Sequence, residues 1–187
     1  MVALVVLPLV VVVAGSPFRD GSERLGGSLA PVAPTYLAYI GFLALLGGGQ
    51  EEPGWRGFAL PRLQERFGPA VGSVLLGLVW GFWHLPVFLL VPNYNSAGRD
   101  PAGIAVTFLV VAVAGTIGQS LLLTWLYNHS RGSLLIAVLA HASLNAGFVF
   151  VAMTRQASIT VFLVQGAVGA VVALATRGRL GRGTPGR

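Results

Sequence analysis

Six polar side chains interrupt an otherwise apolar sequence, and their types are those of a hydrolytic site. They form three clusters: Glu51, Glu52 and Arg56; His84 alone; and His141 with Asn145. All but Arg56 lie within, or at the ends of, stretches long and apolar enough to cross a bilayer. Ionisable side chains at membrane depth are energetically unfavourable, so they usually face a protein interior or a wet cavity. Two acids, two histidines and an amide therefore indicate hydrolytic chemistry placed inside a membrane.

The acid pair lies between a glycine-rich run and a proline. Adjacent residues on a helix point about 100° apart, so one of Glu51 and Glu52 is expected to face a cavity while the other pairs. Pro53 disfavours a helical conformation at Glu52, which predicts a kink or a helix break there. Arg56 follows Glu52 at the spacing where a helix brings side chains together. The alternative is an acid pair solvated by headgroup water at a membrane end.

Both membrane histidines follow small residues at helical spacing. The two stripes are Ser133, Ala137, His141 and Asn145 in one stretch, and Ser73, Gly77, Gly81 and His84 in the other. Small residues let membrane helices approach closely, so both faces are expected to meet other helices. His141 and Asn145 then project one turn apart, about 6 Å along the axis, into the bundle. The alternative for each histidine is a purely structural hydrogen bond to a neighbouring helix.

The remaining polar and aromatic residues are interpreted as structural or left open. Thr116 and Gln119 lie in the middle of an apolar segment and are interpreted as helix-packing residues. His129 lies in a short loop and is interpreted as a surface residue. Three aromatic residues crowd His84, namely Trp80, Phe82 and Trp83. Lining of a pocket and ordinary core packing are equally compatible with this aromatic cluster.

The composition is that of a membrane protein. Of 187 residues, 55% are hydrophobic and only 10% are charged, whereas a soluble domain carries about a quarter charged residues. A spanning helix needs about 20 apolar residues, and six apolar segments stand out, at roughly 1–15, 35–50, 70–92, 103–127, 133–153 and 157–176. The sequence therefore predicts an all-α, polytopic transmembrane bundle of about six helices, forming a single domain over residues 1–187. Segment 1–15 is interpreted as a short or truncated first helix, with the core of a signal peptide as the alternative.

Charge and cysteine content narrow the class of protein further. The net charge of +6 comes from arginines alone, and these crowd the loop at 53–69 and the last eleven residues. Such juxtamembrane clusters are expected beside anionic lipid and do not indicate nucleic acid. With both termini cytoplasmic, eight arginines lie inside and four outside, which favours that orientation for a multi-pass protein of the cell membrane. The absence of cysteine excludes thiol nucleophiles, zinc fingers and iron–sulfur sites.

The three clusters resemble, in order, the motifs of the CPBP family of intramembrane proteases, the CAAX-protease and bacteriocin-processing (Abi-type) group. The motifs read EEPGWR at 51–56, WGFWH at 80–84 and HASLN at 141–145. Trp80 stands where the family usually has Phe. The resemblance covers roughly residues 40–150 and implies an endopeptidase that cleaves a membrane-associated protein or peptide at the lipid bilayer.

Roles for the six residues follow from the resemblance. It implies that Glu51 acts as general base on a water that His84 helps to position or activate. His141 and Asn145 would donate hydrogen bonds to the developing oxyanion, a contribution of several kcal/mol per donor in a dry site. Glu52 and Arg56 would support the site by fixing charge and backbone.

Other interpretations stay open at this point. Glu51, His84 and His141 form a set of ligands that zinc uses, but the HExxH spacing is absent, and we expect no obligatory metal. A non-catalytic immunity or binding protein on the same scaffold is the main alternative function. An ion-coupled transporter is a third, because membrane Glu and His also form proton relays; Asn145 has a role in oxyanion binding and none in such a relay.

Overall fold

The computed structural model describes residues 33–91, 100–149 and 155–181. The apolar segment 1–15 lies outside these ranges. Within them every regular element is helical, and the prediction of an all-α membrane helical bundle is confirmed. The number of membrane crossings stays a prediction.

The described residues form α-helices with short 3₁₀ and π-helical segments between some of them. The first part comprises α1 (Ala33–Leu46), a 3₁₀ turn (Gly48–Glu51), a π-helical segment (Pro53–Ala59), α2 (Leu60–Phe67), α3 (Pro69–Trp83) and α4 (Leu85–Leu90). The second part comprises α5 (Pro101–Thr107), a π-helical segment (Phe108–Gly115), α6 (Thr116–His129), α7 (Leu134–Val149) and α8 (Arg155–Ala175).

Two continuous helical runs among the described residues are long and apolar enough to cross a membrane. Pro69–Leu90 has 22 residues of mean hydropathy 1.8, and Pro101–His129 has 29 residues of mean hydropathy 2.0. At a rise of 1.5 Å per residue both exceed the hydrocarbon thickness of about 30 Å. Shorter apolar helices follow at Leu134–Ala146 and Ile159–Ala175. These runs form the framework that holds the polar clusters.

Glycines bring α3 into close contact with α6. A Cβ added to Gly77 would lie 2.6 Å from Cα of Ile117, so the backbones meet with no room for a side chain. The hydroxyl of Thr116 donates to the Gly77 carbonyl at 2.8 Å. Further along, Ser73 donates to Thr124 at 2.8 Å. The stripe of small residues on α3 therefore faces another helix, as its spacing predicts.

Proline and glycine residues near the polar clusters determine where helices begin and end. Gly68 adopts a φ of 78° between α2 and α3, a conformation that favours glycine, and Pro69 begins α3, where its missing N–H is harmless. Pro86 removes a donor just after His84, so the backbone turns there between α3 and α4. His84 thus lies at an interruption within an apolar run.

Of the kink or helix break predicted at Glu52, the helix break is not found. Glu52 has φ −62° and ψ −34° and is helical despite the proline that follows. What changes is the helix type: the 3₁₀ turn ends at Glu51 and a π-helical segment begins at Pro53. The acid pair therefore lies at a switch of helix type rather than at an extended residue.

Candidate active site

The carboxylate of Glu51 accepts two indole hydrogen bonds on one oxygen. Nε1 of Trp80 donates to Oε2 at 2.9 Å, and Nε1 of Trp55 donates to the same oxygen at 3.1 Å. Trp55 lies four residues after Glu51, whereas Trp80 comes from α3. The side chain of Glu51 is half-buried and faces a cavity. It is the acid of the pair that faces open space, as predicted for one of the two.

Glu52 is the paired acid and is completely buried. Its Oε1 accepts from Nη1 of Arg56 at 2.8 Å and from Nδ1 of His141 at 2.8 Å. The helical spacing of Glu52 and Arg56 thus predicts their ion pair correctly. Among the described residues no group bonds Oε2 of Glu52 or the Nε and Nη2 atoms of Arg56. The charges of this pair are compensated mainly by each other.

Arg56 lies outside the two long apolar runs but has no exposure to solvent. Burial lowers the pKa of its guanidinium from the ordinary value, while the charge and hydrogen bond of Glu52, and then the charge of Glu51, oppose this by raising it. Its Cζ also lies 5.1 Å from the ring centroid of Trp80, a cation–π distance. An arginine starts from so high a pKa that it stays charged, so the site contains a fixed cation behind Trp80.

His84 has a defined hydrogen-bonding state. Its Nδ1 lies 2.8 Å from the carbonyl oxygen of Trp80, and because a carbonyl only accepts, Nδ1 carries the proton. In the neutral ring Nε2 is then an acceptor. His84 therefore offers a lone pair to the cavity that it lines.

His141 and Asn145 meet the 3₁₀ turn at Gly48. A Cβ added to Gly48 would lie 2.6 Å from Nε2 of His141, and closer still to Nδ2 of Asn145. These two nitrogens therefore flank the same point on the chain, one turn apart on α7. Only a glycine permits this approach. The prediction that both side chains project into the bundle is confirmed.

A cavity of about 180 Å³ lies between these groups. Four of the predicted site residues line it: Glu51, His84, His141 and Asn145. Glu52 and Arg56 lie outside its lining. The remaining walls are Trp80, Thr116 and Gln119 on one hand and Phe88, Val111, Ala112 and Phe162 on the other. The cavity therefore has polar groups on α3, α6 and α7 and an apolar wall from α4 to α8.

Some lining residues differ from their sequence interpretation. Thr116 and Gln119 do pack helices together, since Gln119 donates to Gln165 at 2.7 Å, but both also line the cavity. Trp80 lines the cavity as well, whereas the neighbouring Trp83 is 55% exposed. Phe82 is likewise 55% exposed, so of the three aromatic residues Trp80 alone lines this cavity. His129 is a surface residue, as predicted.

The candidate zinc ligands do not converge. Among the described residues no three His, Asp or Glu side chains are grouped so that they hold one metal ion. Oε2 of Glu51 is already occupied by two indoles. The set of Glu51, His84 and His141 as it stands does not fit a single zinc ion.

An apolar all-α bundle that encloses carboxylates, histidines and an asparagine defines a membrane protein with the side chains of a hydrolytic centre. A family model described as type II CAAX prenyl endopeptidase Rce1-like matches residues 33–147, more than half of the chain, and the chain belongs to this family. The resemblance predicted from the three motifs is thereby confirmed.

The sequence is also similar to CAAX prenyl protease 2 of Methanococcus maripaludis. The two are 28% identical over 131 residues, which make up 68% of this chain and 47% of that relative. The chain thus spans about half the length of the curated relative it matches.

Proposed function

We propose that this chain is an intramembrane endopeptidase that hydrolyses a peptide bond in a membrane-associated protein or peptide. Membership of a protease family supports the reaction class. The observation that carries the proposal is the cavity at which Glu51, His84, His141 and Asn145 meet inside an apolar bundle. Such a site combines acceptors that activate water with donors that stabilise an anion, the two requirements of amide hydrolysis.

The acceptors are Glu51 and His84. With Oε2 held by indoles, Oε1 of Glu51 remains for a water, and Nε2 of His84 offers a second acceptor. A water that donates one proton to each is oriented with its lone pairs toward a substrate carbonyl. Glu51 takes a proton from this water as the oxygen attacks the carbonyl carbon, and the protonated carboxyl group then gives that proton to the leaving amine as the C–N bond breaks.

The donors are Asn145 and His141. Nδ2 of Asn145 and Nε2 of His141 both lie beside Gly48, so one oxyanion can reach both. Nδ1 of His141 bonds the Glu52 carboxylate, and a neutral imidazole donates from one nitrogen only. Donation from Nε2 therefore requires the doubly protonated ring. Glu52 and Arg56 act behind the site by holding this ring.

The proposed chemistry needs no metal ion, which makes the enzyme a glutamic peptidase. The proposed topology is multi-pass in the cell membrane with both termini cytoplasmic. Support comes from Asn128, whose Nδ2 donates to Gln64 at 3.0 Å and to the Leu180 carbonyl at 2.9 Å. These bonds join α2, the end of α6 and the segment that follows α8 at one end of the bundle, and arginines lie in or next to each of these three parts of the chain, in agreement with the proposed orientation.

The test compares the termini of host membrane proteins in cells that express wild type or Glu51→Gln at matched levels. Glu65→Gln, the same change on an exposed acid of α2, is the control. New peptide termini with wild type and with Glu65→Gln, and none with Glu51→Gln, support the peptidase and identify its substrate. Identical termini in all three, with each variant folded, contradict it and favour a non-catalytic binding or immunity protein.

A further inference from the structure

Trp80 is hydrogen-bonded to both proposed water-activating groups, Glu51 and His84. Its indole N–H donates to Glu51, and its backbone carbonyl accepts from Nδ1 of His84. The side chain is 2% exposed and its ring is packed on two further sides. Cζ of Arg56 lies 5.1 Å from the ring centroid, and the His141 ring meets it edge to face at 5.0 Å. Trp80 is therefore fixed by every polar cluster of the site.

The indole of Trp55 donates the second hydrogen bond to Oε2 of Glu51. A carboxylate oxygen has two lone pairs, and Trp80 and Trp55 occupy both on Oε2 of Glu51. Within the described chain no other group bonds this carboxylate. Because the donors come from two different elements, the π-helical segment and α3, the carboxylate cannot rotate without breaking at least one bond. Oε1 is thus the oxygen left for the cavity.

We propose that Trp55 and Trp80 are positioning residues that clamp Oε2 of Glu51, so that Oε1 and the Nε2 atom of His84 face one water. The kinetic consequence of this inference rests on the proposed peptidase function. The two hydrogen bonds to Glu51 can be tested whether or not the protein is a peptidase. Tryptophan at position 80 matters here for its N–H, which phenylalanine lacks.

Spectroscopy tests the clamp without any substrate. The chain has four tryptophans, so protein labelled with ¹⁵N in its indoles shows up to four N–H signals, and loss of a signal in Trp55→Phe, Trp80→Phe or Trp125→Phe assigns it. Glu51→Gln replaces the charged acceptor by an amide and is expected to move these two signals while that of Trp125 stays. Two unmoved signals in a folded Glu51→Gln protein overturn the proposal, whatever the peptidase assay shows.

Kinetic measurements then distinguish a role of these tryptophans in positioning Glu51 from a role only in packing. Once a substrate is known, Trp80→Phe is expected to lower kcat by about ten- to a hundredfold, the range for a lost hydrogen bond to a charged group, with KM changed less than about twofold. Trp55→Phe should lower kcat in the same manner, and Trp125→Phe, on α6, should leave it unchanged. Unchanged kcat in Trp55→Phe and Trp80→Phe overturns the proposal. If Trp80→Phe does not fold, Trp55→Phe and the indole signals decide.

Discussion

Oε1 of Glu52 accepts a hydrogen bond from Nδ1 of His141 at 2.8 Å, across a separation of 89 residues. The same oxygen accepts from Arg56, and all three side chains are buried. One carboxylate therefore fastens α7 to the start of the π-helical segment. It also determines which nitrogen of His141 is left for the cavity.

Replacing this carboxylate should damage both stability and activity. Glu52→Gln leaves the Arg56 guanidinium buried without a counter-charge, and breaking a buried ion pair in this way typically lowers the free energy of unfolding by about 3–5 kcal/mol. Unfolding of the detergent-solubilised protein by denaturant measures the loss. The control Glu65→Gln is expected to stay within about 0.5 kcal/mol of wild type.

The double variant makes the electrostatic cause testable. Adding Arg56→Gln to Glu52→Gln removes the unpaired charge, so the double variant should be more stable than Glu52→Gln alone. An equal or larger loss in the double variant would contradict the assignment of the destabilisation to the buried cation. Activity should remain absent in both, because His141 has lost its carboxylate.

A methyl group at position 48 should disturb the site more than the fold. In Gly48→Ala the added Cβ meets Nδ2 of Asn145 and Nε2 of His141 at less than contact distance, so these donors must shift. We expect at least a tenfold loss of kcat, since a shift of about 1 Å in a positioned group costs up to a hundredfold. Gly54→Ala, with no atom within 4 Å of its added Cβ, should keep wild-type kcat; equal kinetics for the two variants would refute the prediction.

The contact between α3 and α6 should tolerate no side chain at Gly77. Gly77→Ala places a Cβ 2.6 Å from Cα of Ile117, which forces the helices apart. Overpacking of this kind lowers stability by about 1–3 kcal/mol. The matched change Gly41→Ala, on α1 with nothing within 4 Å, should leave stability unchanged or slightly raised, because alanine favours a helix over glycine. Thermal unfolding of the two variants side by side measures the difference.

Residue spacing along a helix correctly predicts the contacts that depend on helical periodicity. The four-residue interval of Glu52 and Arg56 yields their ion pair, and the stripe through Gly77 yields the contact with α6. The same interval joins Glu51 to Trp55, but an indole carries no charge, so the charge pattern of the sequence does not mark this pair.

The partners that come from distant helices were not predictable from spacing. Pro53 marks an irregularity at the acid pair, but neither it nor the residue spacing indicates which of the two acids faces the cavity. The position of Gln119 in the middle of an apolar segment favours a packing role, and in the structure the residues from Gly118 to Thr124 are all buried. A helix segment surrounded on every side has no apolar period that separates a cavity-lining face from a packing face.

Removing divalent metals should leave the peptidase active. His84 and His141 each bond a protein acceptor through Nδ1, and among the described residues no three acidic or histidine side chains are grouped so that they hold one ion. The proposed donation from Nε2 of His141 moreover needs a proton where a metal would bind, since metal ligands must be deprotonated. Activity after dialysis against a strong chelator should therefore equal that of untreated enzyme, with the metal content checked by elemental analysis. Loss of activity that added zinc restores would instead establish a metallopeptidase built on the same three side chains.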